Sequence, residues 1–173
     1  MPHYDRVLAT CRYAYPLDNM IQACKYGGRL SMIRALASLL PDKPQRLPDL
    51  IVAMPLSPQR LRERGFNQAL ELARDVARRM RLPVDADVCA KIHDTPPQTM
   101  LPWKARRRNV RGAFVVRTRL DGLHIAVVDD VLTTGATLDE LARSLKKSGA
   151  TSVTGWIVAR TIAGSDTRRQ RPW

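Results

Sequence analysis

The stretch VVDDVLTTGATLDEL, residues 127–141, decides both the fold and the site. Two valines lead into two adjacent acids, Asp129 and Asp130, and a loop of small and hydroxylated residues follows. The apolar run 124–129 predicts a buried strand, and 138–147 has the spacing of an amphipathic helix. A helix start presents unpaired N–H groups and a partial positive charge, so the loop between strand and helix suits a phosphate.

Strands and helices are predicted to alternate from residue 50 onward. This pattern indicates an α/β fold, with a mainly parallel sheet and helices on both faces. Ligands of such sheets bind at the carboxyl ends of the strands. The predicted strands are 50–55, 84–92, 113–116, 124–129 and 152–160, and the predicted helices are 66–80, 138–147 and two pieces within 17–40.

The charge of the chain restricts its partners. The 173 residues include 29 Lys+Arg against 16 Asp+Glu, a formal net charge of +13. This excess favours an anionic partner, which leaves nucleic acid, anionic lipid and phosphorylated small molecules open. No apolar run approaches the ~20 residues of a membrane span, and the first residues lack the apolar core of a secretory signal. We therefore expect a cytoplasmic protein without a membrane span.

The loop after the acids has the composition of a phosphate cradle. Its residues Thr133, Thr134, Gly135, Ala136 and Thr137 are small or carry a hydroxyl, which permits close approach of a phosphate to the backbone. No Gly-Lys-Ser/Thr follows the glycine, which excludes a Walker loop. The alternative is a simple threonine N-cap, but a cap needs one such residue.

The acid pair needs a polar partner, because two carboxylates in an apolar core carry a large cost. Asp129 and Asp130 can grip two vicinal hydroxyls, as acids grip a ribose, or hold a magnesium ion through water. A phosphate loop and a ribose grip together describe a ribose 5-phosphate. The rival interpretation is a receiver-type or phosphatase-type aspartyl pocket that binds magnesium, but such a pocket does not need the TTGAT loop.

The segment VVDDVLTTGAT resembles the phosphoribosyl pyrophosphate (PRPP) motif of type I phosphoribosyltransferases. The whole chain, over roughly residues 4–161, resembles the ComF family, which shares that fold. The stretches ACKYGG, MPLSPQRLRERGFNQALELA and DTPPQTMLPWKARRRNVRGAF resemble that family in the same order. The resemblance implies a type I phosphoribosyltransferase fold, a mainly parallel sheet flanked by helices with a small hood and a flexible loop, and cytoplasmic work in natural competence and DNA uptake.

The resemblance also implies a division of the chain and a role for each site residue. We expect a helical hood segment at 1–48, a phosphoribosyltransferase-like core at 49–163 and a disordered basic tail at 164–173. The acids would be catalytic and bind PRPP together with 133–137, and magnesium would accompany PRPP without direct protein ligands. Pyrophosphate is assigned to Ser57, Arg60, Arg62 and Arg64, and the flexible loop to Lys91, His93, Thr95, Gln98, Arg106 and Asn109.

The chain departs from its relatives in three places. No ligand set for the Cys-rich zinc module of many ComF proteins occurs in this sequence, so either the protein lacks the module or the sequence starts after it. Cys11, Cys24 and Cys89 form no CxxC pair, so we expect reduced thiols and no zinc. Lys91 and His93 stand near the DTPPQ stretch, where members often carry arginines. Transferases for 6-oxopurines have an aspartate at the position of Thr133, which argues against a hypoxanthine-type or guanine-type acceptor.

Two functional hypotheses remain open at this point. In the first, the protein is a phosphoribosyltransferase whose acceptor is unknown. In the second, it is a non-catalytic scaffold that senses PRPP or a nucleotide and binds single-stranded DNA or competence and recombination proteins. Trp103 beside the basic run KARRR is the candidate for base stacking, although local packing of this ring is the alternative.

Overall fold

A computed structural model describes residues 1–27, 30–42, 44–92 and 110–161, and strands and helices follow one another along most of this length. The strands are β1 (Arg6–Arg12), β2 (Leu50–Ala53), β3 (Cys89–Lys91), β4 (Phe114–Val116), β5 (His124–Leu132) and β6 (Ser152–Arg160). The helices are α1 (Leu17–Gly27), α2 (Leu30–Ala37), α3 (Pro58–Arg64), α4 (Gln68–Met80) and α5 (Ala136–Lys147).

The central sheet has four strands in the order β1-β6-β5-β2, and all of its pairs are parallel. In its middle Val127 pairs with Gly155, and Val128 pairs with Ala53. The inner strands read as continuous apolar runs because helices cover both faces. Val127 and Val128 are accordingly inaccessible to solvent. The predicted mainly parallel sheet is confirmed.

Helices α4 and α5 bury the faces that their apolar spacing predicts. In α4 the side chains of Leu72, Ala73 and Val76 are fully buried, at the spacing of one helical face. In α5 Leu138 packs so close to β6 that a Cβ on Gly155 would lie 2.6 Å from its Cδ2. The glycine therefore sets the distance between helix and sheet.

The structure adds two elements that the sequence patterns did not predict. Strand β1 lies within the 1–48 segment that was expected to be helical, and it forms an edge of the central sheet by pairing with β6. Helix α3 replaces a predicted polar loop and buries none of its residues. In addition, β5 continues to Leu132, so that Asp129 is not the last residue of the strand, as predicted, and Asp130 lies inside the strand instead of after it.

Strands β3 and β4 form a separate antiparallel pair. Lys91, predicted for the flexible loop, is instead the last residue of β3 and pairs with Phe114, which makes it part of this ladder. Outside the described residues lie His93, Thr95, Gln98, Trp103, Arg106, Asn109 and the 164–173 tail. None of the helices in the described ranges has the length and apolarity that crossing a membrane requires.

Candidate functional site

The turns after β2 and β5 leave the sheet at the same edge, which is the one formed by the carboxyl ends of the strands, as expected for neighbouring parallel strands. The Met54 N–H donates to the Val128 carbonyl at 2.9 Å, which is the last bond between these strands. Strand β5 runs on past this bond, so Asp129 and Asp130 lie beyond the end of β2. The two acids thus stand between the predicted phosphate and pyrophosphate loops.

Lys25 of α1 holds the second acid. Its Nζ lies 2.9 Å from Asp130 Oδ2, and the two side chains are 18% and 12% exposed. The contact is an ion pair by distance, although Oδ2 receives no hydrogen bond of ordinary geometry from any described residue. Attraction between charges depends weakly on angle, so the short distance makes the contact an ion pair. Asp129 accepts the Asp130 N–H at Oδ1, at 2.8 Å.

Ionisation of the first acid, Asp129, is unfavourable in the folded protein. Burial raises the pKa of Asp129 well above its ordinary value of 3.8, and the charge of Asp130 raises it further. The residue as a whole is half-buried, but its carboxyl group is enclosed by protein atoms. The Asp130 N–H and the charge of Lys25 act in the opposite direction and offset part of the shift. A carboxyl with a strongly raised pKa beside a second acid, at the open end of a sheet, is typical of a functional site.

The predicted phosphate loop leads into α5 without a side-chain cap. Gly135 is the N-cap residue, has a left-handed φ of 78° and offers no side-chain oxygen to the first turn. The Ala136 N–H reaches only Thr134 Oγ1, at 3.4 Å. Thr133 is exposed, and Thr137 is half-buried in the first turn. The backbone and hydroxyls of the five predicted residues therefore surround one helix start, which is the arrangement that binds phosphate.

The N-terminal residues stand over this loop, which no sequence pattern indicated. A Cβ on Gly135 would lie 3.0 Å from the Tyr4 hydroxyl. The His3 backbone N–H and ring Nδ1 lie 2.6 and 3.0 Å from Asp139 Oδ1, in the first turn of α5. A cavity of about 300 Å³ is lined on one side by Met1, Pro2 and Tyr4 and on the other by 134–136 and Asp139. Tyr4 thus lies next to the predicted phosphate loop.

The turn after β2 uses its polar groups differently. Ser57 is 1% exposed, and its Oγ accepts the Arg60 N–H at 3.4 Å as the N-cap of α3. Arg62 is exposed, whereas Arg60 and Arg64 are half-buried. The three predicted arginines therefore lie on one short helix, at the edge of the sheet where the acids lie. The burial of the Ser57 side chain opposes its predicted contact with pyrophosphate.

The start of α4 contains a buried amide side chain. Asn67 caps α4 by accepting the Ala69 N–H, and its Nδ2 donates to the Met54 carbonyl at 3.1 Å. Gln68 is 3% exposed, and neither polar atom of its side chain has a hydrogen-bond partner within the described ranges. An unsatisfied amide at this edge is costly, which fits a region arranged around a ligand.

The connection between β3 and β4 begins and ends beside α5. The Ile92 N–H donates to the Ala113 carbonyl, and the Gly112 N–H donates to Glu140 Oε1, each at 2.8 Å. Burial would raise the pKa of Glu140, but hydrogen bonds from Arg143 and the Gly112 N–H outweigh it and lower the pKa. The predicted flexible segment is thus anchored next to the phosphate loop.

The two acids suit an indirect contact with a metal ion. Carboxylate oxygens are ligands that Mg²⁺ prefers, usually with several waters retained. However, the described ranges contain no group of three His, Cys, Asp or Glu residues that could hold a metal ion, and Lys25 lies against Asp130. These donors fit an ion that is carried by a bound ligand and reached through water.

Comparison with known proteins identifies the class to which this fold and edge belong. Residues 67–171 match the family model of the phosphoribosyl transferase domain. Because this match spans more than half of the sequence, the chain belongs to the phosphoribosyl transferase domain family. The type I phosphoribosyltransferase fold expected from the sequence is thereby confirmed.

The nearer relatives confirm the resemblance to ComF proteins. The DNA utilization protein YhgH of Escherichia coli (strain K12) is 33% identical over 169 residues, which cover 93% of this chain and 74% of the relative. The competence protein F of Haemophilus influenzae is 32% identical over 170 residues, with 92% and 74% covered. Among solved structures, the purine phosphoribosyltransferase of Pyrococcus horikoshii is similar, with a TM-score of 0.40 and 17% identity over 89% of this chain and 76% of that one.

Proposed function

We propose that this protein binds PRPP with magnesium at the edge formed by β2 and β5, and that it acts in the use of incoming DNA. The observation that carries the proposal is the uncapped start of α5 directly after the acid pair. The loop would take the 5-phosphate, and Asp129 and Asp130 would take the ribose hydroxyls. The names of the ComF relatives, DNA utilization protein and competence protein, support the proposed role in the use of incoming DNA.

The pyrophosphate of PRPP is assigned to the turn after β2. Arg60, Arg62 and Arg64 lie on α3, at the same edge as the acids. Guanidinium groups bind diphosphates through charge-assisted, forked hydrogen bonds. Ser57 would support this turn by capping α3. When bound, magnesium would neutralise negative charge on the diphosphate.

If the protein is an enzyme, a nucleophilic atom of an acceptor forms a bond to C1 of the ribose while the bond from C1 to pyrophosphate breaks. Positive charge then develops on the sugar, where Asp129 and Asp130 stabilise it, and negative charge develops on the leaving group, which the arginines of α3 stabilise. Thr133 stands where 6-oxopurine transferases carry an acid, which disfavours those acceptors. The connection between β3 and β4, anchored on Glu140 through Gly112, would close over the ligand and exclude water.

The test is calorimetric titration of PRPP in the presence of magnesium. We expect the double variant Asp129→Asn, Asp130→Asn to lose binding. The matched control is Asp85→Asn, Asp87→Asn, two exposed acids close in sequence near the start of β2. The control should bind PRPP as the wild type does. Unchanged binding by the first double variant would overturn the site assignment.

A second candidate function is a non-catalytic PRPP or nucleotide sensor that binds single-stranded DNA or partner proteins. The net charge of +13 favours this candidate, because three arginines at a pyrophosphate site account for only a small part of that charge. Exposed cations lie far from the site as well, among them Arg117, Arg119 and Lys147. A basic surface of this kind attracts a nucleic-acid backbone.

Two measurements separate the candidates. Binding of labelled single-stranded DNA should weaken steeply as salt rises, because each neutralised phosphate releases counterions. A flat salt response would remove DNA from the list of partners. Release of pyrophosphate from PRPP in the presence of candidate bases would identify an enzyme, whereas PRPP binding without release would favour the sensor.

A further inference from the structure

Lys25 lies against the acid pair but has no part in the function proposed above. Its Nζ is 2.9 Å from Asp130 Oδ2, and both side chains are largely shielded from solvent. Ion pairs at exposed positions contribute little, because water and salt screen them. Shielding strengthens the attraction between Lys25 and Asp130 relative to such pairs.

Helix α1 holds Lys25 firmly at this position. Ile21 and Cys24 of the same helix are inaccessible to solvent, so α1 is fixed to the core on the turn that precedes Lys25. Lys25 itself lies in the last turn of α1, where the helix dipole favours a cation. The ammonium group is therefore a fixed charge, supplied to the site by the N-terminal segment.

The ionisable groups around the pair define its charge. Lys25 forms the ion pair with Asp130, and its charge also lowers the pKa of Asp129. Burial raises the pKa of Cys24, and the charge of Asp130 raises it further, so the thiol stays protonated and adds no negative charge. Among the groups that the structure describes here, two carboxyls thus face one ammonium.

An acid pair is a poor neighbour for an anionic ligand. The phosphate and diphosphate of PRPP are negative, and two ionised carboxylates would repel them across a short distance. One fixed ammonium offsets one of the two charges. It also restricts the orientation of Asp130, because the carboxylate is attracted to one side of the site.

We propose that Lys25 is a positioning residue of the ribose site, which holds Asp130 in place and offsets one negative charge of the acid pair. The proposal rests on the ribose and phosphate assignments made above. It adds α1 to the elements that build the site. Lys25 acts through Asp130 and makes no direct contact with the diphosphate.

The test compares two simple ligands by calorimetry, ribose 5-phosphate and inorganic pyrophosphate. We expect Lys25→Met to weaken ribose 5-phosphate binding about tenfold, equivalent to about 1.4 kcal/mol. Pyrophosphate binding should weaken only about twofold, or about 0.4 kcal/mol, because this ligand loses the offsetting charge of Lys25 but does not depend on the orientation of Asp130. Lys25→Arg should restore part of the loss, because it returns the cation. The matched control Lys146→Met removes a lysine whose Nζ lies 2.8 Å from Asp5 Oδ1, at the opposite edge of the sheet, and should leave both ligands unaffected.

The outcomes separate this proposal from the one on which it rests. If the wild type binds neither ligand, the ribose and phosphate assignments fail, and the role of Lys25 fails with them. If the wild type binds ribose 5-phosphate and Lys25→Met binds it equally well, only the role of Lys25 is overturned. An equal loss of both ligands would also overturn it, since Lys25 would then contact the anion. Should Lys25→Met fail to fold, Lys25→Gln, which keeps a donor without the charge, should show the same selective loss.

Discussion

The turns after β2 and β5 lie at one edge of the sheet but use their polar groups in opposite ways. After β2, Ser57 satisfies the start of α3 with its own hydroxyl, and of the three arginines Arg62 is exposed while Arg60 and Arg64 are half-buried. After β5, Gly135 leaves the start of α5 without a side-chain cap, and the preceding acids are partly buried beside each other. The start of α3 is therefore satisfied without a ligand. The second turn keeps an uncapped helix start and a buried acid pair, and a ligand can stabilise both.

The largest effect is expected at the ion pair that serves the second turn. Asp130→Asn removes the charge that Lys25 faces and leaves the ammonium half-buried without its counterion. We expect a loss of about 2–3 kcal/mol in the free energy of unfolding, somewhat below the range for fully buried pairs. PRPP binding should weaken by about tenfold to hundredfold, the value of a hydrogen bond to a charged group.

Denaturant unfolding and calorimetry measure the two losses. The control is Asp121→Asn, which removes an exposed partner of Arg119 away from the site. That change should alter stability by less than about 0.5 kcal/mol, as exposed pairs contribute little. Equal stability losses in the two variants would show that the pair with Lys25 is no stronger than a surface contact.

Two glycines with nearly equal backbone angles allow a direct comparison of the turns. Gly65, at the end of α3, has a φ of 76°, and nothing lies within 4 Å of an added Cβ. Gly135 has a φ of 78°, and an added Cβ would meet the Tyr4 hydroxyl at 3.0 Å. Alanine costs about 1 kcal/mol at a left-handed position, and we expect about 2 kcal/mol at Gly135 because the contact with Tyr4 adds to it.

Ligand binding should separate the two glycines further. Gly135→Ala places a methyl group at the phosphate loop and should weaken PRPP binding, whereas Gly65→Ala should change thermal stability alone. Adding Tyr4→Phe to Gly135→Ala should recover part of the stability, since the substitution removes the contacting hydroxyl. If both alanine variants bind PRPP equally well, the second turn is not the phosphate site.

A smaller effect, of opposite sign, is expected at Asp129. Its raised pKa means that the folded protein keeps the proton to higher pH than the unfolded chain does. Stability from this group is present below the ordinary value of 3.8 and is lost as the pH rises towards the folded-state pKa. Asp129→Asn removes this loss and keeps an acceptor for the Asp130 N–H. We therefore expect about 0.5–1 kcal/mol of added stability near pH 7, with loss of PRPP binding.

Unfolding of both proteins at about pH 4 and about pH 7 checks the sign, because the two pH values bracket the start of the titration. The difference between variant and wild type should grow with pH. A constant difference would show that the carboxyl of Asp129 is as easily ionised as an exposed one.

The second turn could be predicted from the sequence, because its information is local. The apolar run before Asp129 and the small residues around Gly135 specify the strand, the loop and the helix without reference to the rest of the chain. The parallel direction of β2, β5 and β6 follows from the same kind of pattern, but their order does not, because the strands predicted at 84–92 and 113–116 form the separate pair of β3 and β4.

The missed features depend on contacts between distant residues. Strand β1 has mixed exposure along its length, and its identity comes from pairing with β6. Helix α3 has no buried face, so periodicity could not reveal it, although Ser57 and Pro58 are typical of a helix start. The pair of Lys25 with Asp130 joins α1 to β5 and leaves no pattern in either segment.

The smallest effect is expected at Ser57 and decides whether the first turn only supports the site. Ser57→Ala removes a long cap bond of 3.4 Å, so we expect a loss of about 0.5 kcal/mol, the low end for an N-cap. Pyrophosphate binding should stay unchanged, while Arg62→Ser, at an exposed position of the same helix, should weaken it. Ser57→Gly should cost less than Ser57→Ala, because glycine is tolerated at N-caps. A loss of pyrophosphate affinity in Ser57→Ala comparable to that in Arg62→Ser would place the hydroxyl in contact with the ligand, and the two turns would then differ less than their caps indicate.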